Sequence, residues 1–134
     1  MDDVFVGRVM STDVHSVDAD ASVRDAARTM LEHDIGSVVV VDGANHLRGI
    51  LTTTDFVKIT AEGSPTSETP VSTYMSTDVV TTTVNDSIRD VADLMVERGF
   101  HHVPVVDGTE GVVGMITSTD LTAYLSHPTA SRVR

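Results

Sequence analysis

The chain has 134 residues, no cysteine, and a formal net charge of −11 from 20 acidic against 9 basic side chains. Without cysteine there is no disulfide framework, thiolate zinc site or cysteine nucleophile, and 15 Asp against a single Lys, Lys58, make a surface unsuited to neutralising nucleic-acid phosphates. The longest apolar run, Val38 to Val41, is far shorter than a bilayer span, and the Asp-rich start lacks the basic opening of a signal peptide, so a cytoplasmic location and no membrane partner are expected.

In chain order, Val14 to Val17 is a short β-prone run. Ser22 then opens a stretch whose apolar residues Val23, Ala26, Ala27, Met30 and Leu31 fall on one face of a helix over 22–33. Ser22 is its expected N-cap, with Asp25 placed to complement the helix dipole. Val38 to Val41, Asp42-Gly43 and Leu47 to Leu51 read as two strands joined by a turn, an antiparallel hairpin. A strand, a helix and a second strand imply a crossover with parallel outer partners. A last helix follows through Phe56 to Thr60.

The same order then returns. Shifting the chain by 65 residues lays Val6–Phe56 onto Val71–Leu121 without a gap, with 21 of 51 positions identical, so the chain is a tandem duplication. The second copy repeats the short β-prone run at Val79 to Thr82 and a helix over 87–98 with Ser87 as cap, Asp90 in the first turn and Gly99 as C-terminal stop. The hairpin returns at Val103 to Val106 and Val112 to Ile116, and a last helix at Leu121 to Leu125. Residues 6–61 form the first repeat, 62–70 a Pro- and Glu-containing linker, 71–126 the second repeat, and 127–134 an expected flexible tail. Two copies of about 50 residues, each near the lower limit for independent folding, are expected to share one aliphatic core. Met10, Met30, Met75 and Met95 repeat in register and read as filler of that core or of an interface.

The strongest motif sits where the last strand of each copy enters its helix: Gly49-Ile-Leu-Thr52-Thr-Thr-Asp55 and Gly114-Met-Ile-Thr117-Ser-Thr-Asp120. Gly49 and Gly114 lack a Cβ, so a neighbouring strand or ligand can approach closely. Three consecutive hydroxyls at a helix entry make a phosphate-friendly corner. Asp55 and Asp120, in the first turn, are placed to accept the two hydroxyls of a ribose. Thr for phosphate with Asp for sugar describes a nucleotide; the structural alternative is a helix N-cap with a first-turn acid and no ligand.

The order β-α-β-β-α, duplicated, with this Gly-x-x-Thr-x-x-Asp motif in both copies, resembles a pair of cystathionine-β-synthase (CBS) domains, a Bateman module, over about residues 6–125. The resemblance implies a mixed α/β (α+β) fold: two repeats related by a pseudo-two-fold axis, with small three-stranded sheets packed against helices. It also implies that an adenosine-containing ligand lies between the repeats, AMP, ADP, ATP or S-adenosylmethionine, with the Asp of one copy completed by the base platform of the other. Site A would combine Ile50, Thr52 and Asp55 with Val80, His101, His102, Val103 and Pro104. Site B would combine Met115, Thr117 and Asp120 with His15, Gly36, Ser37, Val38 and Val39. A homodimer forming a disc of four repeats, acting on other chains, follows from the same resemblance.

His101 and His102 distinguish the copies, since Gly36 and Ser37 stand at their equivalents; the pair could contact a phosphate, titrate, ligate a metal, or be satisfied by backbone or water. A ligand contact is preferred. His15, His33, His46 and His127 are scattered, and solvated or structural roles are expected. The nearest cations are Arg48, Lys58 and Arg98, and the family's Arg or Lys at His102 or Ser37 is missing, which favours AMP or S-adenosylmethionine over ATP. Arg24 and Arg89 each lie beside an acid and read as solvated or salt-bridging.

No nucleophile–base pair, glutamate–histidine helix motif or glycine-rich phosphate loop is signalled, so an enzyme is not expected. The leading reading is a metabolite sensor; the alternatives are a ligand-independent assembly module and a divalent-cation sensor using Asp18, Asp20 and Asp25. The acidity fits either a specialised partner-facing surface or adaptation of the whole surface to high salt. The spread of the acids along the chain favours salt adaptation, as in a halophile.

Overall fold

The computed structural model describes residues 3–63 and 68–126. The expected tail and His127 lie outside the described residues, as does the middle of the expected linker.

Elements follow in the order α1 (Val6–Val9), β1 (Ser16–Val17), α2 (Val23–His33), β2 (Ser37–Val41), β3 (Leu47–Thr52), α3 (Thr53–Glu62), a 3-10 turn (Val71–Thr73), α4 (Ile88–Arg98), β4 (His102–Asp107), β5 (Gly111–Thr117) and α5 (Ser118–Ser126). Both long amphipathic helices form where the apolar spacing places them. Ser22 caps α2 by accepting from Asp25 N at 3.0 Å, and Ser87 caps α4 through Arg89 N at 3.1 Å. Gly99 closes α4 in the left-handed conformation at φ 73°; its equivalent Asp34 closes α2 at φ 52°. The last helices begin earlier than their apolar residues suggest, at Thr53 and Ser118, because the Thr-Asp motif itself forms the first turn.

The chain divides into two compact units that do not coincide with the two sequence repeats. The first comprises Val14–Val79. Its sheet has the order β1-β2-β3, with β1 parallel and β3 antiparallel to β2. Its core joins Val23, Ala26 and Met30 of α2 to Val38, Val40, Leu51 and Ile59, and is completed by Val71, the first residue of the second repeat. Val71 is fully buried, and its N–H donates to Ala21 O at 2.8 Å. The end of the linker belongs to this unit too, since Thr69 O accepts from Val23 N at 2.8 Å.

The other unit contains, among the described residues, 3–13 with 80–126. Its sheet is the antiparallel pair β4-β5. Its core joins Val91 and Met95 of α4 to Val103, Val105 and Ile116, with Val6 and Val9 of α1 supplied from the start of the first repeat. The third strand expected at Val79 to Thr82 is reduced to one parallel bridge, Thr82 to Val105. Asp86, where the first copy has Ala21, turns the chain there. Its Oδ2 accepts from the buried Thr82 hydroxyl at 2.7 Å and from Thr83 N at 3.0 Å. These hydrogen bonds, the Thr82 hydroxyl first, hold the Asp86 carboxyl below the usual Asp range.

The exchanged segments account for the motif glycines. In the first unit Ser76 and Ile50 exchange both backbone hydrogen bonds, at 2.9 and 3.0 Å, and a Cβ on Gly49 would lie 2.7 Å from Met75 Sδ and 2.8 Å from Ser76 O. In the other, Ser11 and Met115 exchange theirs at 2.8 and 2.9 Å, and a Cβ on Gly114 would meet Met10 Sδ at 2.6 Å. The close approach read from the sequence is therefore that of a neighbouring segment, which only a residue without a side chain admits. Met30 and Met95 are buried in the two cores, while Met10 and Met75 pack at their edges, in keeping with a filler role.

Candidate functional site: the two Thr-Asp corners

Each unit builds one corner from a strand end, a helix entry and the start of the neighbouring strand. In the first unit Thr52 is the last residue of β3 and the N-cap of α3. Its Oγ1 accepts from Asp55 N at 3.4 Å while Asp55 Oδ2 accepts from Thr52 N at 2.8 Å and from Thr52 Oγ1 at 3.2 Å, a reciprocal capping box. The other unit repeats it: Asp120 N donates to Thr117 Oγ1 at 3.0 Å, and Thr117 N to Asp120 Oδ2 at 2.9 Å. Capping and ligand binding are compatible on one carboxylate, because it offers about four acceptor positions and the cap engages Oδ2. The helix entry is less generous to an anion than its sequence implies. Thr53 N donates to Gly36 O at 3.1 Å and Ser118 N to His101 O at 3.0 Å, so these N–H groups, like those of Asp55 and Asp120, bond within the fold. The side-chain hydroxyls of the motif therefore have to supply most of any phosphate contact.

Strand register decides what stands beside each motif. Ser37 pairs with Thr52 and Val39 with Ile50, while His15 O accepts from Val39 N at 3.3 Å. His15, Gly36, Ser37 and Val39 therefore gather at the Thr52–Asp55 corner, with Val38 alternating onto the core. In the other unit His102 pairs with Thr117 and Pro104 with Met115, bringing His101, His102 and Pro104 to the Thr117–Asp120 corner; Val103 faces the core. Val80 lies in this unit, just ahead of the bridged Thr82. Within each unit, then, the motif of one expected site adjoins the platform of the other.

The corners differ in chemistry. His101 Nδ1 lies 3.4 Å from Ser118 Oγ. Burial pushes the half-buried His102 below the ordinary histidine value, the neighbouring His101 adds to this, and Asp120 opposes it. Its imidazole is thus neutral at pH 7, a hydrogen-bonding group and not a fixed cation. The other corner has Ser37, buried, and the His15 ring, which stacks on His33 at 3.7 Å between centroids. His46 is exposed and meets Asp42 at 3.4 Å within the hairpin turn. Arg48, Lys58 and Arg98 are all exposed. Asp18, Asp20 and Asp25 are exposed as well, and among the described residues no group of three or more His, Cys, Asp or Glu is placed to hold a metal ion. No helix among them is long and apolar enough to cross a membrane.

The CBS domain model matches this chain twice, over residues 6–62 and 71–127. The chain belongs to the CBS domain family. An uncharacterized 17.7 kDa protein from Acidianus ambivalens is 33% identical over 120 residues, covering 90% of this chain and 72% of the relative. The CBS domain-containing protein YhcV of Bacillus subtilis is 34% identical over 113 residues, covering 84% of this chain and 79% of its own. Among solved structures, the CBS domain pair of protein MJ0100, in complex with 5'-methylthioadenosine and S-adenosyl-L-methionine, superposes with a TM-score of 0.87 at 26% identity, covering 95% of this chain and 99% of that one. The expected mixed fold of a tandem CBS pair is therefore the fold this chain has, with sheets of three and two strands.

Proposed function

We propose that this CBS pair is a regulatory module that binds an adenosine-containing ligand at its Thr-Asp corners and signals to a partner protein. The observation that carries the reading is the same reciprocal Thr-Asp corner in both units, in a fold that superposes at 0.87 on a CBS pair complexed with adenosyl ligands. Asp55 and Asp120 hold the ribose, the hydroxyls of Thr52 to Thr54 and Thr117 to Thr119 take the polar substituent at the 5' position, and His101, His102 and Pro104, or His15, Ser37 and Val39, flank the base. These are the residues of the sequence-based sites A and B.

The ligand class follows from charge. Exposed Arg48, Lys58 and Arg98 and a neutral His102 offer little to a triphosphate, which favours S-adenosylmethionine or AMP over ATP. Ligand binding regulates only by favouring one of two arrangements, so the output is a shift in packing read by another chain. The module works as a homodimer in the cytoplasm and has no catalytic role of its own.

Isothermal titration in molar KCl with S-adenosylmethionine, AMP and ATP tests this, on the wild type and on Asp55→Asn and Asp120→Asn. Asparagine keeps an acceptor for the cap N–H and removes the charge, so the fold is kept while ribose binding is weakened. Saturable heat with one adenosyl ligand, lost in one or both variants, is expected. No heat with any of the three, together with an unchanged melting temperature, would replace this reading with a ligand-independent assembly module.

A further inference from the structure

The chain has 6 methionines and no cysteine, so thioethers are the only sulfurs an oxidant can attack. Among the described residues Met30, Met95 and Met115 are buried, whereas Met10 and Met75, which occupy equivalent positions of the two repeats, are half-buried. Each of these two is fixed by its own backbone: Met10 N donates to Val6 O at 2.9 Å and Met75 N to Val71 O at 2.8 Å. The sulfur is thereby laid on a motif glycine. Met75 Sδ and Cγ stand 2.7 and 2.9 Å from where a Cβ on Gly49 would lie, and Met10 Sδ and Cε stand 2.6 and 3.2 Å from that of Gly114.

The residue after each methionine closes a sheet edge. On one side β3 and β5 have a partner strand, β2 and β4; on the other, among the described residues, each has a single bridge, Ile50 to Ser76 and Met115 to Ser11. Each bridge consists of the two backbone hydrogen bonds given above, so the thioether packed on the neighbouring glycine is what seals this clip. A sulfoxide is polar and larger than a thioether, and a glycine offers it no side-chain donor.

We propose that Met10 and Met75 form a paired oxidation site through which a peroxide opens both clips. The sulfur lone pair attacks one peroxide oxygen, the S–O bond forms as the O–O bond breaks, and the proton of the transferred oxygen leaves with the departing one as water or an alcohol. Sulfur loses two electrons and the peroxide gains them. The added oxygen overpacks the contact with the glycine and uncovers the free edges of β3 and β5. Each bridge lies two residues before Thr52 or Thr117, so the strand ends that carry the Thr-Asp corners loosen with it.

The methionines all fall on different tryptic peptides, Met10 on 9–24 and Met75 on 59–89, so mass spectrometry assigns every added oxygen. In folded protein treated with hydrogen peroxide, Met10 and Met75 are expected to oxidise at least about fivefold faster than Met30, Met95 and Met115. With both oxidised, the melting temperature is expected to fall by about 5 °C or more, and the amides of Ser11, Ile50, Ser76 and Met115 to exchange at least about tenfold faster. A Met10→Leu, Met75→Leu double variant, similar in volume and without sulfur at either clip, is expected to keep its melting temperature within about 2 °C under the same treatment. Equal oxidation rates at these five positions, oxidation without a change in melting temperature and exchange, or the same loss in the double variant overturns the proposal. Should leucine itself unseat the segment, methionine sulfoxide reductases acting on the oxidised wild type decide the matter. A melting temperature restored with the thioethers supports the switch, and a loss that persists after the sulfoxides are gone overturns it.

Discussion

Gly49→Ala puts the exchanged segments to a quantitative test. The new methyl would sit 2.7 Å from Met75 Sδ and 2.8 Å from Ser76 O. The sulfur ends a flexible side chain, but the carbonyl is fixed by its hydrogen bond from Ile50 N at 3.0 Å and by the return bond from Ser76 N at 2.9 Å. The segment must therefore move off β3. Overpacking of this kind costs about 1–3 kcal/mol, and weakening two backbone hydrogen bonds adds about 0.5–1.5 kcal/mol each. Alanine returns about 0.4–1 kcal/mol by restricting the unfolded chain, so the net loss is about 1–5 kcal/mol, centred near 3, or roughly 12 °C in melting temperature at about 4 °C per kcal/mol. The control is Gly43→Ala, whose methyl meets nothing within 4 Å and which is expected to stay within about 0.5 kcal/mol of wild type. Urea unfolding of both, without ligand, measures the contrast. Adding Met75→Ala removes only the sulfur contact, so it is not expected to restore Gly49→Ala. If Gly49→Ala unfolds within about 0.5 kcal/mol of Gly43→Ala, the packing account of the motif glycine is wrong.

Other residues give narrower tests. Asp86→Ala strands the buried Thr82 hydroxyl and hands the exposed Thr83 N–H to water, and is expected to cost about 1–2 kcal/mol by urea unfolding at pH 7. Because the folded Asp86 carboxyl is held below its unfolded value, its stabilisation is present above the ordinary Asp range and disappears as pH falls through the lowered folded value. The gap between wild type and variant therefore closes in acid. For His102 the unfolded chain takes up a proton more readily than the folded one, so it destabilises the fold as pH drops below the ordinary histidine value of about 6.5. Replacing it by the Ser of the first copy, His102→Ser, should flatten the melting temperature against pH in that range, and an unchanged slope would contradict the burial assigned to this ring. Thr117→Ala removes the hydroxyl that caps α5 and is expected to lower stability by about 1 kcal/mol in the absence of ligand, measured by thermal unfolding.

What the sequence made legible was whatever is decided locally. Helical periodicity with Ser22 and Ser87 ahead of it placed α2 and α4, and short Val-rich runs on either side of Asp-Gly placed both hairpins. The Thr-x-x-Asp spacing is itself a cap, so both corners could be read before any tertiary structure. Two elements escaped, α1 and the turn at Val71–Thr73, because four and three residues carry no period and their first N–H groups bond to Asp86 O and Ala21 O, far away in the chain. In the second sheet the third strand shrinks to a single bridge where Thr82 and Asp86 replace Val17 and Ala21, and the Thr82 hydroxyl bonds to Asp86. The division into compact units was equally hidden, since two nearly identical leading segments give a sequence reader no reason to prefer one recipient over the other.

That exchange has a consequence for how the chain could be divided. Each core is closed by an arm belonging to the other repeat: Val6 and Val9 for one, Val71 for the other. Cleavage between the repeats would yield two fragments, each missing an arm and each holding the arm the other needs. They are complementary in the way of a split reporter, able to reassemble without a peptide bond between them. The stretch joining the repeats then acts as a tether that raises the effective concentration of donor and acceptor.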